Sequence, residues 1–181
     1  MNPHTMLRNH APLFAALLLL SACNSAPPAT PPLAGAAIGG EFTLTGEDGS
    51  DVSWSDFDGQ YRTVYFGYTY CPDVCPVDTQ RAMAGLKKFE AASPDRAAKV
   101  QPLFVSVDPE RDTPAVLREF TDQFHPRLIG MTGSKEQLDK VTKEFAAQYS
   151  LGEKNEEGGY LVNHTSITYL FGPDGEPIAI L

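Results

Sequence analysis

The run Val64-Tyr65-Phe66-Gly67-Tyr68-Thr69-Tyr70-Cys71-Pro72-Asp73-Val74-Cys75-Pro76 limits the fold more than any other stretch of the chain. Its first half is apolar and aromatic on consecutive residues, the composition of a strand covered on both faces. Its second half carries two cysteines four apart, then a proline placed to open a helix. Cysteines at i and i+4 in a first helical turn bring their sulfurs to one side, close enough to share a metal or a disulfide. The helix N-terminus favours thiolates, and the thiolate is both nucleophile and metal ligand. A bare pair at this spacing is equally consistent with a structural disulfide or two inert thiols. Its place in a turn after a strand, where open α/β sheets put their ligands, favours a reactive site.

The compartment decides what such a pair does. The chain opens with a weakly basic Arg8, an apolar run over residues 11–20 too short for a comfortable membrane span, and then Leu20-Ser21-Ala22-Cys23. That ending resembles a bacterial lipobox, so residues 1–22 are expected to be a lipoprotein signal peptide and Cys23 a lipid-modified anchor. A plain signal peptide cut elsewhere would leave Cys23 as an odd thiol. Residues 23–40, with four prolines and no charge or aromatic, are expected to be an extended tether, and residues 41–181 the folded domain. The predicted location is therefore the membrane surface, facing the periplasm or another extracytoplasmic space. There Cys71 and Cys75 oxidise unless a reductant or a metal protects them. Net charge is −9, and −10 from Cys23 onward, since Arg8 is the sole charged residue before it. Such a surface repels phosphate backbones, and no Lys/Arg cluster offsets it, so no nucleic-acid partner is expected.

Along the domain the pattern alternates. Residues 41–44 and 52–54 flank turn residues and predict an opening β-hairpin. Residues 62–69 form the central strand, and a helix follows from Pro76 to about residue 91, with Ala82, Met83, Leu86 and Phe89 on one apolar stripe. Residues 100–107 are the next buried strand. Thr113 as N-cap and Pro114 at the first position open a second helix with Leu117, Phe120 and Phe124 on one side. Residues 128–130 form a short strand, and Ser134-x-x-Gln137 is a capping box for a helix with Leu138, Val141, Phe145 and Tyr149 inward. Residues 150–159 read as a mobile loop. Residues 161–171 contain a strand, Gly172-Pro173-Asp174-Gly175 turns it, and residues 177–181 pair back. The fold class is α/β, thioredoxin-like, with an added N-terminal hairpin; the helix that would cover the last sheet face is missing from the pattern.

Of the histidines outside the leader, His125 in Phe-His-Pro sits at a helix end and is expected to cap it. His164 precedes the penultimate strand, and in a thioredoxin-like fold that entry lies against the active-site turn. Two thiolates and one imidazole make a soft, incomplete ligand set: copper(I) accepts it readily, structural zinc generally wants four ligands, and copper(II) could add water or a carboxylate. Asp73 and Asp78 flank the turn and are expected to be solvated helix-start acids. The peroxide-reducing class on this fold places Thr three residues before the reactive Cys; here Tyr68 holds that place and Thr69 is one residue late.

Four blocks then resemble the Sco/SenC family of copper chaperones: residues 65–76, the run Phe104-Val105-Ser106-Val107-Asp108-Pro109-Glu110-Arg111-Asp112-Thr113-Pro114, residues 124–130, and Tyr160-Leu161-Val162-Asn163-His164-Thr165. The resemblance implies a thioredoxin-like fold, membrane tethering, and copper held by Cys71, Cys75 and His164. It further implies delivery to the dinuclear CuA centre in subunit II of cytochrome c oxidase. Within the same resemblance lies a second role, a thiol-disulfide reductase in which Cys71 and Cys75 keep the CuA cysteines reduced. Either role requires a thiol reductant of the cell envelope to reset the pair.

Overall fold

The computed structural model describes residues 30–181. The leader and Cys23 lie outside the described residues. Strands β1 (Thr43–Gly46) and β2 (Asp51–Ser53) form the opening hairpin, followed by a short 3-10 turn at Trp54–Phe57. Then come β3 (Tyr61–Gly67), α1 (Val74–Ala92), α2 (Pro94–Ala97), β4 (Val100–Ser106), α3 (Pro114–Thr121), β5 (Ile129–Thr132) and α4 (Lys135–Glu144). Strands β6 (Tyr149–Leu151), β7 (Val162–His164), β8 (Thr168–Phe171) and β9 (Pro177–Ile180) complete the chain. Seven strands form one sheet in the order β2-β1-β5-β4-β3-β8-β9, and β6 pairs with β7 apart from it.

Burial explains the centre of that sheet. Val64, Phe66, Leu103, Phe104 and Val105 are all buried, so β3 and β4 are covered on both faces and pair in parallel from Tyr61↔Val100 to Gly67↔Ser106. Helix α1 supplies Met83 and Leu86 to the core, α3 supplies Leu117 and Phe120, and α4 supplies Leu138 and Val141. An aromatic cluster closes the far side, with the Phe145 ring 5.3 Å from both Trp54 and Phe171 and 5.6 Å from Phe66.

The caps fall where expected. Thr113 Oγ1 accepts from the Val116 N–H at 3.4 Å with Pro114 at the helix start. At the start of α4 the Ser134 and Gln137 side chains satisfy each other's backbone N–H groups at 3.2 and 2.8 Å. The β8–β9 hairpin turns through Gly172–Gly175, where Gly175 has φ +82° and donates its N–H to the Gly172 carbonyl.

Four features differ from the sequence expectation. Helix α1 begins at Val74, not Pro76, so Cys75 is inside the helix and Cys71 lies in the turn before it. Pro76 is tolerated there because the first four helical N–H groups have no intrahelical partner. Helix α4 ends at Glu144, and Ala146 at φ 51° turns the chain, so Tyr149 enters β6 instead of extending the helix. Residues 149–151, largely expected as loop, pair with β7 from Tyr149↔His164 to Leu151↔Val162. Finally, residues 33–40 are seated on the domain: Leu33 donates its N–H to the Ile178 carbonyl, Ile38 packs against the core, and Gly39 donates to the Glu144 carbonyl.

Two parallel βαβ crossovers, β3-α1-β4 and β4-α3-β5, joined to an antiparallel β8–β9 hairpin make the thioredoxin-like arrangement, with β1 and β2 added ahead of it. The dithiol turn stands at the C-terminal end of the central strand.

Candidate metal centre

Strand β3 ends at Gly67, and the chain must turn at once to reach α1. A Cβ at Gly67 would stand 3.0 Å from Cys75 Sγ and 2.8 Å from Tyr65 Cε1, so only glycine lets the first turn of α1 pack this closely under the strand end. Asp73 precedes the helix without a side-chain capping bond, and the Cys75 N–H instead points at Cys71 Sγ, 3.4 Å away. The sulfur of the first cysteine thus occupies the place of a capping acceptor.

His164 arrives on β7. Its Nε2 lies 3.1 Å from Cys75 Sγ, and the three candidate ligand atoms of Cys71, Cys75 and His164 lie within 4.8 Å of one another. The edge-on rings of Tyr68 and Tyr65, with centroids 5.7 and 6.1 Å from the imidazole, hold it upright. Nδ1 is 3.3 Å from the Thr165 carbonyl; a proton placed there leaves the Nε2 lone pair facing the thiol. Both cysteines are free and buried, and His164 is half-buried. Two sulfurs and one imidazole, converging on one point, are a soft ligand set.

The two thiols are unequal. Burial acts to raise the Cys71 thiol, but the backbone N–H groups of Cys75, Asp73 and Val74, together with the Cys75 thiol, outweigh it and hold Cys71 below its ordinary value. Burial pushes the Cys75 thiol far up, and the neighbouring Cys71 sulfur adds to this. In the reduced protein at neutral pH, iodoacetamide is therefore expected to modify Cys71 first and Cys75 only much later. Peptide mapping over a time course checks this, and equal rates would contradict the asymmetry.

Neither flanking carboxylate joins the cluster. Asp73 is exposed, as expected, whereas Asp78 is half-buried and accepts from the Tyr65 hydroxyl at 3.3 Å, so it is a packing contact of the site and not a solvated acid. His125 is structural, but not through helix carbonyls: its Nδ1 accepts the Arg127 N–H and its Nε2 lies 3.2 Å from Glu90.

Sequence reasoning assigned no role to Asp112. Its buried carboxylate accepts from the Thr69 N–H at 2.9 Å and from the hydroxyls of Thr69 and Ser106 at 2.6 Å each, tying the dithiol turn to the end of β4. Burial raises its pKa, while the hydroxyls of Ser106 and Thr69 act to lower it. The only sequence signal was its place in the Asp108-to-Pro114 block.

A thioredoxin-like domain whose dithiol turn faces an imidazole from a separate strand defines a class of metal-handling or thiol-exchange proteins. The SCO1/SenC family model matches residues 30–181, and the chain belongs to that family. It is 40% identical over 141 residues to the human "Protein SCO1 homolog, mitochondrial", a match covering 77% of this chain and 46% of the relative. It is 44% identical over 140 residues to "Protein SenC" of Rhodobacter capsulatus, covering 77% of this chain and 61% of that one. The chain thus spans about half to three-fifths of the length of these curated relatives. Among solved structures, Arabidopsis thaliana ScoI with copper bound superposes with a TM-score of 0.74 at 38% identity, covering 80% of this chain and 88% of that one. BsSco, described as having a disulfide switch and as a member of the Sco family of cytochrome c oxidase assembly proteins, gives a TM-score of 0.64 at 26% identity, covering 84% and 87%.

Proposed function

We propose that this chain is a copper metallochaperone that holds the ion between Cys71, Cys75 and His164 and passes it to the CuA site of cytochrome c oxidase subunit II. The observation that carries this reading is the imidazole: His164 Nε2 stands 3.1 Å from a thiol that dithiol exchange alone does not require it to meet. The copper-bound state of the Arabidopsis relative supports the choice of metal. As each sulfur takes the ion its thiol proton is released, so the oxidised disulfide form has no ligand pair to offer. Around the site Tyr70, Val74, Val77 and Leu161 are exposed apolar side chains, a rim against which an acceptor can dock. Acceptor thiolates then replace the donor ligands one at a time, and copper never enters solvent.

The lipid anchor at Cys23 belongs to the same proposal, with residues 1–22 as the removed leader and the domain held outside the membrane. No helix among the described residues is long and apolar enough to cross a bilayer. Mass spectrometry of the mature N-terminus tests the anchor: an unmodified Cys23 defeats it.

The unequal thiols favour a second reading, a thiol-disulfide reductase that keeps the CuA cysteines reduced. A low-pKa Cys71 attacks the partner disulfide, and the buried Cys75 thiol resolves the mixed disulfide, leaving Cys71–Cys75 oxidised for an envelope reductant to reset. His164→Ala separates the two. Copper retention against a competing chelator is expected to fall by about tenfold or more, while disulfide exchange with a small-molecule disulfide stays near wild type. Wild-type retention in His164→Ala would remove the metal-carrier reading and leave the reductase.

A further inference from the structure

The dithiol turn belongs to the seven-stranded sheet, whereas His164 ends a strand of the separate β6–β7 ribbon. Residues 165–167 lead from His164 into β8, whose Thr168 pairs with Tyr65, but no ladder hydrogen bond among the described residues joins the ribbon to the sheet, so side-chain contacts must complete the setting of the distance between sulfur and imidazole. We propose that Arg111 is the positioning residue that fixes it.

Arg111 sits in the loop after β4, between the two halves of the site. Toward the His164 side, its Nη1 donates to the Tyr160 carbonyl at 2.9 Å and its guanidinium lies 3.7 Å from the centroid of the Tyr160 ring. Toward the thiol side, the same group lies 5.0 Å from the ring of Tyr70, the residue before Cys71, and 5.6 Å from that of Tyr68. Tyr68 is also one of the two rings that hold the imidazole upright.

Asp108 anchors the assembly. It is almost fully buried, receives the Arg111 Nε–H, and accepts the Tyr160 hydroxyl at 2.7 Å. The residue after Arg111, Asp112, already grips Thr69 in the thiol turn. One short loop therefore holds residues 68–70 with one hand and residue 160 with the other. A planar guanidinium is suited to this, since it can face a ring while its edge donates to a carboxylate and a carbonyl; an ammonium group cannot do both. Lys154, 5.3 Å from the same Tyr160 ring, is largely exposed and pairs with Glu110.

The inference rests on the metal-binding reading for its consequence but not for its geometry, and the test separates them. Arg111→Met keeps the stem and removes the fork. In the reduced, metal-free protein, amide hydrogen exchange at residues 161–164 is expected to speed up while β3 and β4 keep their protection. With copper added, chelator competition should show about tenfold weaker retention, the range for groups that orient a ligand. Arg111→Lys should resemble Arg111→Met, because charge without the fork does not span the gap. On a His164→Ala background, Arg111→Met should add little further loss, since the ligand it positions is already gone.

Unchanged exchange at residues 161–164 together with wild-type retention would overturn the proposal, as would a loss that adds in full to that of His164→Ala. Rescue by Arg111→Lys would reassign the effect to charge and also overturn it. Should Arg111→Met fail to fold, Tyr160→Phe removes only the hydroxyl that reaches Asp108, and it must shift exchange and retention in the same direction for the proposal to stand. A wild-type protein that takes no copper would end the metal reading, and the metal-free exchange measurement would still decide the role of Arg111.

Discussion

Cys75→Ala is expected to leave the reduced protein without copper after dialysis against a chelator, not with a reduced share of it. Cys75 Sγ is the middle atom of the proposed site: the imidazole nitrogen is 3.1 Å from it, and its own backbone N–H is directed at Cys71 Sγ. Removing it leaves one thiolate and one imidazole with no sulfur between them, and the soft pair that distinguishes copper(I) from harder ions is lost. Oxidation of Cys71 and Cys75 to a disulfide should do the same by consuming both thiolates, and reduction should restore binding. Metal analysis of the dialysed protein in the three states checks both arms. Stoichiometric copper in Cys75→Ala, or in the disulfide form, would show that the ion sits elsewhere.

The largest effect on stability is expected from Phe145→Ala. Phe145 is fully buried at the C-terminal end of α4, and its ring meets Phe42, Trp54, Phe66 and Phe171 at centroid distances between 5.3 and 6.0 Å. Truncating a large aromatic in such a setting costs about 3–5 kcal/mol, because the surrounding rings are held by their own strands and close the cavity only in part. For a chain of this length that lowers the melting temperature by on the order of 10 °C. Calorimetry of the metal-free protein measures it, and a shift of a degree or two would mean that the cluster collapses around the gap. The next residue, Ala146, holds the turn that sends the chain into β6, so the same substitution also loosens the ribbon that carries His164.

Much of this architecture can be read from local chemistry. Thr113 with Pro114, and Ser134 with Gln137, are N-cap patterns whose partners lie within one helical turn, so no tertiary information is needed to place them. The buried strands around Val64 and Phe104 are legible because both faces are covered and no alternation is required. The bringing together of Cys71, Cys75 and His164 is legible only through the fold, since 89 residues separate Cys75 from His164.

What escapes the sequence is decided by long-range contact. The start of α1 at Val74 depends on Cys71 Sγ receiving a backbone N–H, which no propensity scale contains. The β6–β7 pairing depends on Ala146 leaving the helical region so that Phe145 can remain in the aromatic cluster, whereas periodicity alone carries the helix on to Tyr149. Leu33 and Ile38 read as tether because prolines and small residues surround them; their seat on the domain is set by the β9 edge and the core. Arg111 and Asp112 look like surface charge in a loop until Tyr160 and Thr69 are placed beside them.

The imidazole is carried by a ribbon of two three-residue strands, while both sulfurs are rooted beside a seven-stranded sheet. Small, edge-like units breathe at far lower free energy than a central sheet. Thermal agitation is therefore expected to part the nitrogen from the pair before it disturbs the pair itself, so that an ion held as proposed would be let go in stages, from the rim inward.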